Sequence, residues 1–203
     1  METENTIKEL LSGIYEPYTG KTLGEIGAIQ NIEKSAAGVK VTLILGFPLS
    51  GYEETLRKII FTELEKISKD PIKIDIISKI TARAAQRGVP TLEQVKNIIA
   101  IASGKGGVGK STTATNLACA ISHEGGKVGI LDADIYGPSQ TKMLGATGKP
   151  DSLDGKKMEP ITNHGIQSIS IGNLIKEDTP MIWRGPMATG ALEQLLNETN
   201  WKE

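Results

Sequence analysis

The pattern of hydrophobic and polar positions divides the chain into two segments of different character. In the first segment, apolar residues recur at helical spacing from Ile7 onward, and the stretch VKVTLILGFP alternates as a strand does. A second helix is expected next, opened by a capping box between Ser50 and Glu53, and the strand pattern IKIDII follows it. These elements predict a small α+β domain over residues 1–80, near the lower size at which a domain supports its own core.

The second segment begins after a connection that carries little hydrophobic pattern. Residues 81–96 are polar and rich in small residues, which predicts a linker, with a surface loop inside one domain as the alternative. From Asn97 the run NIIAIA is continuously apolar, as in a parallel strand covered on both faces. A glycine-rich loop, a helical pattern from Lys110 to His123 and a second apolar strand, KVGILD, come next. We therefore predict an α/β domain with a parallel sheet over residues 97–203.

The glycine-rich loop carries the strongest chemical signal in the chain. Gly104 to Ser111 read GKGGVGKS, which satisfies the phosphate-binding pattern G-x-x-x-x-G-K-[ST] between a strand and a helix. Glycines let backbone N–H groups approach phosphate oxygens, Lys110 would neutralise the β and γ oxygens, and the Ser111 hydroxyl would hold Mg²⁺. A glycine-rich turn that binds nothing is the alternative, but it leaves this arrangement without a use. The predicted nucleotide-binding residues are Gly104, Lys105, Gly106, Gly107, Val108, Gly109, Lys110, Ser111 and Thr112.

Two carboxylates follow the second apolar strand. Asp132 and Asp134 stand at its carboxyl end, where open α/β sheets bind ligands. A spacing of two in an extended segment puts both on one side, so they can share a metal-water shell, and one of them could orient an attacking water. The alternative is a solvated turn, since Asp is common after strands.

Composition and charge exclude several classes of protein. The chain has 203 residues, a formal net charge of -1 and 38% hydrophobic residues, which is typical of a globular protein and gives no reason to expect nucleic acid as a partner. The acidic start lacks the basic region of a secretory signal, and no apolar run approaches the roughly 20 residues that span a bilayer. We expect a cytoplasmic protein with no membrane partner.

The remaining chemically distinctive residues have ordinary structural interpretations. His123 at a helix end and His164 in a turn are expected to cap or to be solvated rather than to bind metal. Arg184 could contact a partner or nucleotide, and an equally good interpretation is that Trp183 beside it anchors the segment in the core. Cys119, the single cysteine, excludes an intramolecular disulfide, and its apolar neighbours predict a packed, inert thiol.

Four motifs together resemble the Mrp/ApbC family of iron-sulfur cluster carrier ATPases, within the deviant Walker A group of P-loop ATPases. They are KGGVGKSTTATNLA, ILDADIYGPSQTKMLG, DGKKMEPI and TPMIWRGPMATGALEQLL. The first segment resembles the small iron-sulfur assembly domain that is often fused ahead of bacterial members. The resemblance implies binding and hydrolysis of ATP with Mg²⁺, and loading or transfer of iron-sulfur clusters. It also implies iron-sulfur scaffolds and recipient apo-proteins as partners.

The resemblance also implies roles for individual residues. The second lysine of the loop, Lys105, would reach across an ATP-dependent, face-to-face homodimer to the nucleotide of the other subunit; otherwise it is a solvated loop lysine. Asp134 would position the hydrolytic water and Asp132 would support Mg²⁺ together with Ser111, although the two aspartates could exchange these roles. The implied catalytic residues are Lys105, Lys110 and Asp134.

The sequence departs from the family pattern after NWKE. Family members continue into a strand, an acidic P-P-G-T-G-D segment and later a C-x-x-C pair that holds the cluster, and none of these occurs here. We therefore assign no cluster site and expect a cluster only in a full-length form. That strand would lie beside the P-loop strand, so we expect unpaired backbone groups and exposed apolar faces there.

Two other functions are compatible with parts of this pattern. A partition-type positioning ATPase would share the loop, but such a switch needs a basic patch for DNA or an amphipathic tail for a membrane, and neither is visible. Alternatively, the first domain alone could serve as an interaction module for assembly partners. Nucleotide binding is expected of the loop itself, and efficient hydrolysis less so.

Overall fold

The protein is described from a computed structural model, which falls into two compact units, Met1–Thr81 and Ala82–Glu203. Each unit has a hydrophobic core of its own. The mixed α/β architecture predicted from the sequence is confirmed. The structure describes residues 4–83, 92, 94–153, 155–175 and 185–202.

The first unit is a three-stranded sheet accompanied by two helices and a small hairpin. Its elements are helix α1 (Glu4–Ser12), strands β1 (Tyr15–Glu16), β2 (Lys21–Thr22), β3 (Ile29–Ser35) and β4 (Gly38–Leu45), helix α2 (Glu53–Glu65) and strand β5 (Ile72–Ser78). The sheet order is β3-β4-β5, antiparallel between β3 and β4 and parallel between β4 and β5. The helix at Ile7 and both predicted strands of this segment are confirmed.

The core of the first unit lies between the sheet and the two helices. Alternate residues of β4 are fully buried, as are the apolar stripes of α1 and α2, because both helices direct one face to the sheet. Burying such side chains contributes about 1.5–3 kcal/mol each. The largest fully buried side chains of this core are Ile7, Leu11, Leu23, Leu43, Leu45, Leu56, Ile60 and Leu64.

The capping box predicted for α2 is wrong. The helix begins at Glu53, and Tyr52 occupies the N-cap position without a side-chain hydrogen bond. The backbone N–H groups of Tyr52 and Glu53 both donate to the Leu49 carbonyl, 2.9 Å away in each case. A turn of the main chain therefore leads into the helix, and Ser50 lies exposed within it.

Glu16 is a buried carboxylate at the end of β1. Its side chain is 0% exposed and accepts the backbone N–H groups of Tyr18 (2.9 Å) and Thr19 (2.7 Å). Burial acts to raise the pKa of the Glu16 carboxyl, but the hydrogen bonds from Thr19 and Tyr18 outweigh it, so the pKa lies below its ordinary value. The ionised carboxylate therefore fixes the turn that follows it.

The second unit contains the predicted P-loop helix and a second three-stranded sheet. Its elements are α3 (Lys110–His123), β6 (Val128–Asp132), α4 (Gln140–Met143), β7 (Ile161–Asn163), β8 (Ile166–Ser170), a short 3₁₀ helix (Ile171–Asn173) and α5 (Gly185–Asn197). The order is β6-β8-β7, with β6 and β8 parallel and β7 antiparallel to β8. The predicted helix bounds and the position of Asp132 at a strand's carboxyl end are confirmed.

The apolar run at residues 97–102 does not form the predicted strand. Within the described part of the chain no strand pairs with it, and Ile98 and Ile99 are 52% and 62% exposed. An extended segment buries both faces only when neighbouring strands and two covering layers are present. The expectation of exposed apolar faces at this run therefore agrees with the structure, whereas the expectation of a buried strand is wrong.

Cys119 is exposed, which contradicts the predicted packed thiol. Helix α3 buries only Ala118, and Leu117 is 38% exposed. Successive residues of a helix point about 100° apart, so the two neighbours of a buried residue face away from the surface that it covers. Apolar neighbours along the sequence therefore did not indicate a buried thiol.

We expect Gly38→Ala to destabilise the first unit by more than about 3 kcal/mol, because the new Cβ would meet the Pro71 carbonyl oxygen at 2.1 Å. Gly27→Ala is the matched control, since Gly27 also has a positive φ (65°) but open space around it. The control should lose only about 1–2 kcal/mol of stability, which is the cost of a left-handed backbone for a residue with a Cβ. Hydrogen exchange of the β4 amides measures both losses, and equal losses would contradict the steric argument.

Glu16→Gln should reduce the free energy of unfolding of the first unit at pH 7. The difference from wild type should shrink as the pH falls. The folded-state pKa is depressed, so the carboxylate stabilises the fold above its unfolded pKa of about 4.3 and loses this effect as pH drops through the folded value. Urea unfolding from pH 7 to pH 3 measures the difference. The exposed Glu9→Gln variant is the control, and a deficit in Glu16→Gln that stayed constant with pH would contradict the assignment.

Candidate phosphate-binding site

The glycine-rich loop presents unpaired backbone donors ahead of α3. Within the part of the chain that the structure describes, the N–H groups of Gly106 to Gly109 donate to no protein acceptor. Gly107 (φ 73°) and Gly109 (φ 87°) have left-handed backbones, which turn the chain sharply into the helix. The first turn of α3 adds further free N–H groups and the positive end of the helix dipole. This combination favours an anion such as phosphate.

Ser103 shapes the start of the loop. Its hydroxyl oxygen lies 3.1 Å from both the backbone nitrogen and the carbonyl oxygen of Lys105, accepting from the first and donating to the second. The Lys105 side chain is exposed and forms no ion pair with any residue that the structure describes. The role of Lys105 across a dimer interface stays a prediction.

Lys110 and Asp134 lie together at the start of α3. The Lys110 Nζ is 3.6 Å from the Asp134 Oδ2, and both side chains are more than a third exposed, at 39% and 37%. The other oxygen of Asp134, Oδ1, accepts the Gly137 N–H at 3.0 Å. An ion pair this exposed contributes at most about 1 kcal/mol to stability. Its significance is geometric, because it brings two of the predicted catalytic groups to one place.

Asp132 occupies a different environment from Asp134. It is 4% exposed; its Oδ1 accepts the Asp134 N–H at 3.1 Å, and its Oδ2 accepts the N–H groups of Ser139 (2.9 Å) and Gln140 (3.0 Å). The prediction that both carboxylates share one side assumed an extended chain through Asp134, but β6 ends at Asp132. The metal role of Asp132 stays a prediction.

Ser111 and Thr112 lie in the first turn of α3. Ser111 is half-buried, and its hydroxyl makes no hydrogen bond within the described residues; Thr112 is exposed. A free hydroxyl oxygen is a ligand that suits Mg²⁺, and the unpaired N–H groups of the preceding loop suit the phosphate to which that ion would be bound. The predicted role of Ser111 toward this ion is therefore compatible with its surroundings.

Sequence reasoning missed Gln140 and Thr115. The buried Gln140 side chain contacts the Ser111 carbonyl and the Thr115 hydroxyl, which joins α4 to the first turns of α3. No pattern in the sequence marked Gln140, because its burial and its partners on α3 follow only from the packed structure. Trp183 and Arg184 lie outside the described residues.

The described residues contain no group of three or more His, Cys, Asp and Glu side chains that could hold a metal ion. His123 ends α3, and His164 lies exposed in a turn with a left-handed backbone (φ 51°). Among the helices of the described segments, none is both long and apolar enough to cross a membrane.

The loop, the helix that it opens and the carboxylates at the end of β6 define the P-loop NTPase class. The chain belongs to the NUBPL iron-transfer P-loop NTPase family, whose profile matches residues 94–203. A second profile, described as an iron-sulfur cluster assembly protein, matches residues 4–69. The resemblance found in the sequence, including that of the first segment, is confirmed.

Curated relatives match nearly the whole chain. It is 41% identical over 210 residues to an iron-sulfur cluster carrier protein of Synechocystis sp., covering 99% of this chain and 58% of the relative. Proteins with the same description from Escherichia coli K12 (43% identity, 95% and 53% coverage) and Bacillus subtilis (34% identity, 100% and 60% coverage) are also similar. The chain thus spans little more than half the length of these relatives.

Proposed function

We propose that the protein binds and hydrolyses ATP as part of an iron-sulfur cluster carrier, using ATP to control cluster loading or transfer to apo-proteins. The observation that carries this proposal is the position of Lys110, at the first residue of α3 and 3.6 Å from Asp134, after a loop of unpaired N–H groups. The match to curated cluster carriers at 34–43% identity supports an iron-sulfur cluster as the cargo.

Residues 104–112 would hold the triphosphate through backbone N–H groups, with Lys110 neutralising the terminal phosphate oxygens. Asp134 is the counter-ion of Lys110 in this structure, so phosphate would replace a weak exposed partner with a stronger one. Mg²⁺, when bound by Ser111, would add charge neutralisation at the phosphates. The exchange of partners would also release one Asp134 oxygen.

The surroundings of the two aspartates favour Asp134 as the residue that orients the attacking water. Asp134 is 37% exposed and touches Lys110, whereas the oxygens of Asp132 already accept three backbone N–H groups. A carboxylate whose oxygens already accept backbone N–H groups is better suited to holding a loop than to accepting a proton from water. Asp132 would therefore hold the loop that follows β6 in place, and any contact that it makes with Mg²⁺ would be through water.

Lys105 would act in a second copy of the chain. An exposed cation at a loop of N–H donors can reach a nucleotide bound across a two-fold interface and stabilise charge on the transferring phosphoryl group, as an arginine finger does. ATP would then form part of the dimer interface. The partners proposed for the whole protein are iron-sulfur scaffolds and recipient apo-proteins.

The iron-sulfur cluster is the cargo of this proposal, and the residues of this chain do not fit it. Clusters are held by several thiolates, and Cys119 is the single cysteine of the sequence. The residues of this chain therefore support the nucleotide chemistry of the proposal.

Lys110→Ala should weaken binding of a fluorescent ATP analogue with Mg²⁺ by about 10- to 100-fold, because a charge-assisted contact to phosphate is worth about 1.5–3 kcal/mol. Lys127→Ala is the control, since this exposed lysine precedes β6 at the strand end opposite Asp132. Affinity equal to wild type in Lys110→Ala would show that the phosphate site is misassigned.

Lys105→Ala should weaken ATP-dependent dimerisation by about tenfold or more and change nucleotide affinity of the monomer by less than about threefold. The physical reason is that its cation would contact the partner's nucleotide and not its own. Sedimentation velocity with a slowly hydrolysed ATP analogue measures the dimer fraction, and Lys127→Ala again serves as control. A Lys105→Ala protein that dimerises as wild type does would refute the role in trans.

A further inference from the structure

Gln140 is a buried residue that forms hydrogen bonds to both sides of the candidate site through its main chain and its side chain. It is 4% exposed, and its backbone N–H donates to the Asp132 Oδ2 at 3.0 Å. Its side-chain Nε2 donates to the Ser111 carbonyl at 3.2 Å, and its Oε1 accepts from the Thr115 hydroxyl at 2.7 Å. One residue thus connects the end of β6 to the first turns of α3.

The chemistry of these partners fixes the orientation of the amide. The Ser111 carbonyl only accepts, so the Nε2 must face it, and the Thr115 hydroxyl can then donate to Oε1. The hydroxyl also lies 3.0 Å from the Ser111 carbonyl, but it has one proton, and the shorter contact is the one to Gln140. One orientation of the amide therefore satisfies both partners, with two hydrogen bonds that run from Thr115 through Gln140 to the Ser111 carbonyl.

The exposed ion pair between Lys110 and Asp134 is too weak to hold the start of α3 against the end of β6. Such pairs contribute about 0–1 kcal/mol, whereas each hydrogen bond of a buried amide contributes about 0.5–1.5 kcal/mol and costs about 1–3 kcal/mol when left unmade. Ser111 carries both the carbonyl that Gln140 contacts and the free hydroxyl. Holding the carbonyl therefore holds the residue that carries the hydroxyl.

We propose that Gln140 is a positioning residue that fixes Ser111 and the first turn of α3 against the carboxyl end of β6. The inference rests on the proposed nucleotide function for its consequence, which is that Gln140 sets the part of ATP affinity that depends on Mg²⁺. Small displacements of a ligand residue cost large factors in affinity and rate. Gln140 itself contacts neither phosphate nor metal in this role.

The first test needs no nucleotide. Gln140→Glu is close to isosteric and keeps the backbone donor and the acceptor for Thr115, but it places a carboxylate oxygen against the Ser111 carbonyl in place of a donor. Hydrogen exchange of the hydrogen-bonded amides in the first turns of α3, from Thr113 to Leu117, should become about 3- to 10-fold faster, with the last turn of α3 and all of α5 unchanged. Unchanged exchange in the first turns would overturn the inference, whatever the protein binds.

The second test measures the affinity for a fluorescent ATP analogue with Mg²⁺ and with chelator. In Gln140→Glu and Gln140→Ala, the ratio of the two affinities should fall about 3- to 10-fold, while the affinity in chelator changes less than about twofold. Gln194→Ala, an exposed glutamine on α5, is the matched control. A parallel loss under both conditions would indicate a purely structural role and overturn the proposal.

The two tests separate this inference from the proposed function. If the wild-type chain does not bind the analogue at all, the nucleotide function fails, and the exchange experiment still decides whether Gln140 holds α3. If the wild type binds with a clear Mg²⁺ dependence that both variants retain in full, the inference fails while the proposed function stands. Gln140→Glu keeps the test available should Gln140→Ala not fold.

Discussion

The Asp132 carboxylate is the constraint on which the candidate site depends. It is buried at the end of β6, and carboxylate oxygens in that position need hydrogen-bond donors. Three backbone N–H groups supply them, from Asp134, Ser139 and Gln140, and this closes the loop between the strand and α4. The loop in turn holds Asp134 near Lys110 and seats Gln140 under the first turn of α3. One buried carboxylate thus connects groups on three elements.

The two units divide the physical tasks of the chain. The first has a continuous core between its sheet and two helices, which gives it the means to fold around its own apolar residues. The second has two smaller clusters, one behind α3 and one around α5, and its distinctive feature is a set of polar groups at the strand end. Its match to an iron-transfer P-loop NTPase profile agrees with polar groups gathered at a candidate ligand site.

Errors in the sequence-based predictions share one origin. The apolar run with Ile98 and Ile99, the capping pair before α2 and the apolar neighbours of Cys119 were each interpreted from local pattern alone. In each case the outcome depends on what lies across from the residue in space. A buried strand needs neighbouring strands to pair with. The first N–H groups of a helix donate to whichever acceptor lies nearby, and a helix buries only the face that packs against another element. Local pattern carries no information about those partners.

The sequence by itself determined the positions of α3 and β6 after the loop, the loop's identity and the family, because glycine placement, hydrophobic period and the lysine and serine of the motif are local properties. Only the tertiary structure decided that Asp132 is buried while Asp134 meets Lys110, and that Gln140 joins α4 to Ser111. Those facts depend on which donors surround each side chain after the chain has packed. Residues distant in sequence supply those donors, so no spacing rule along the chain encodes them.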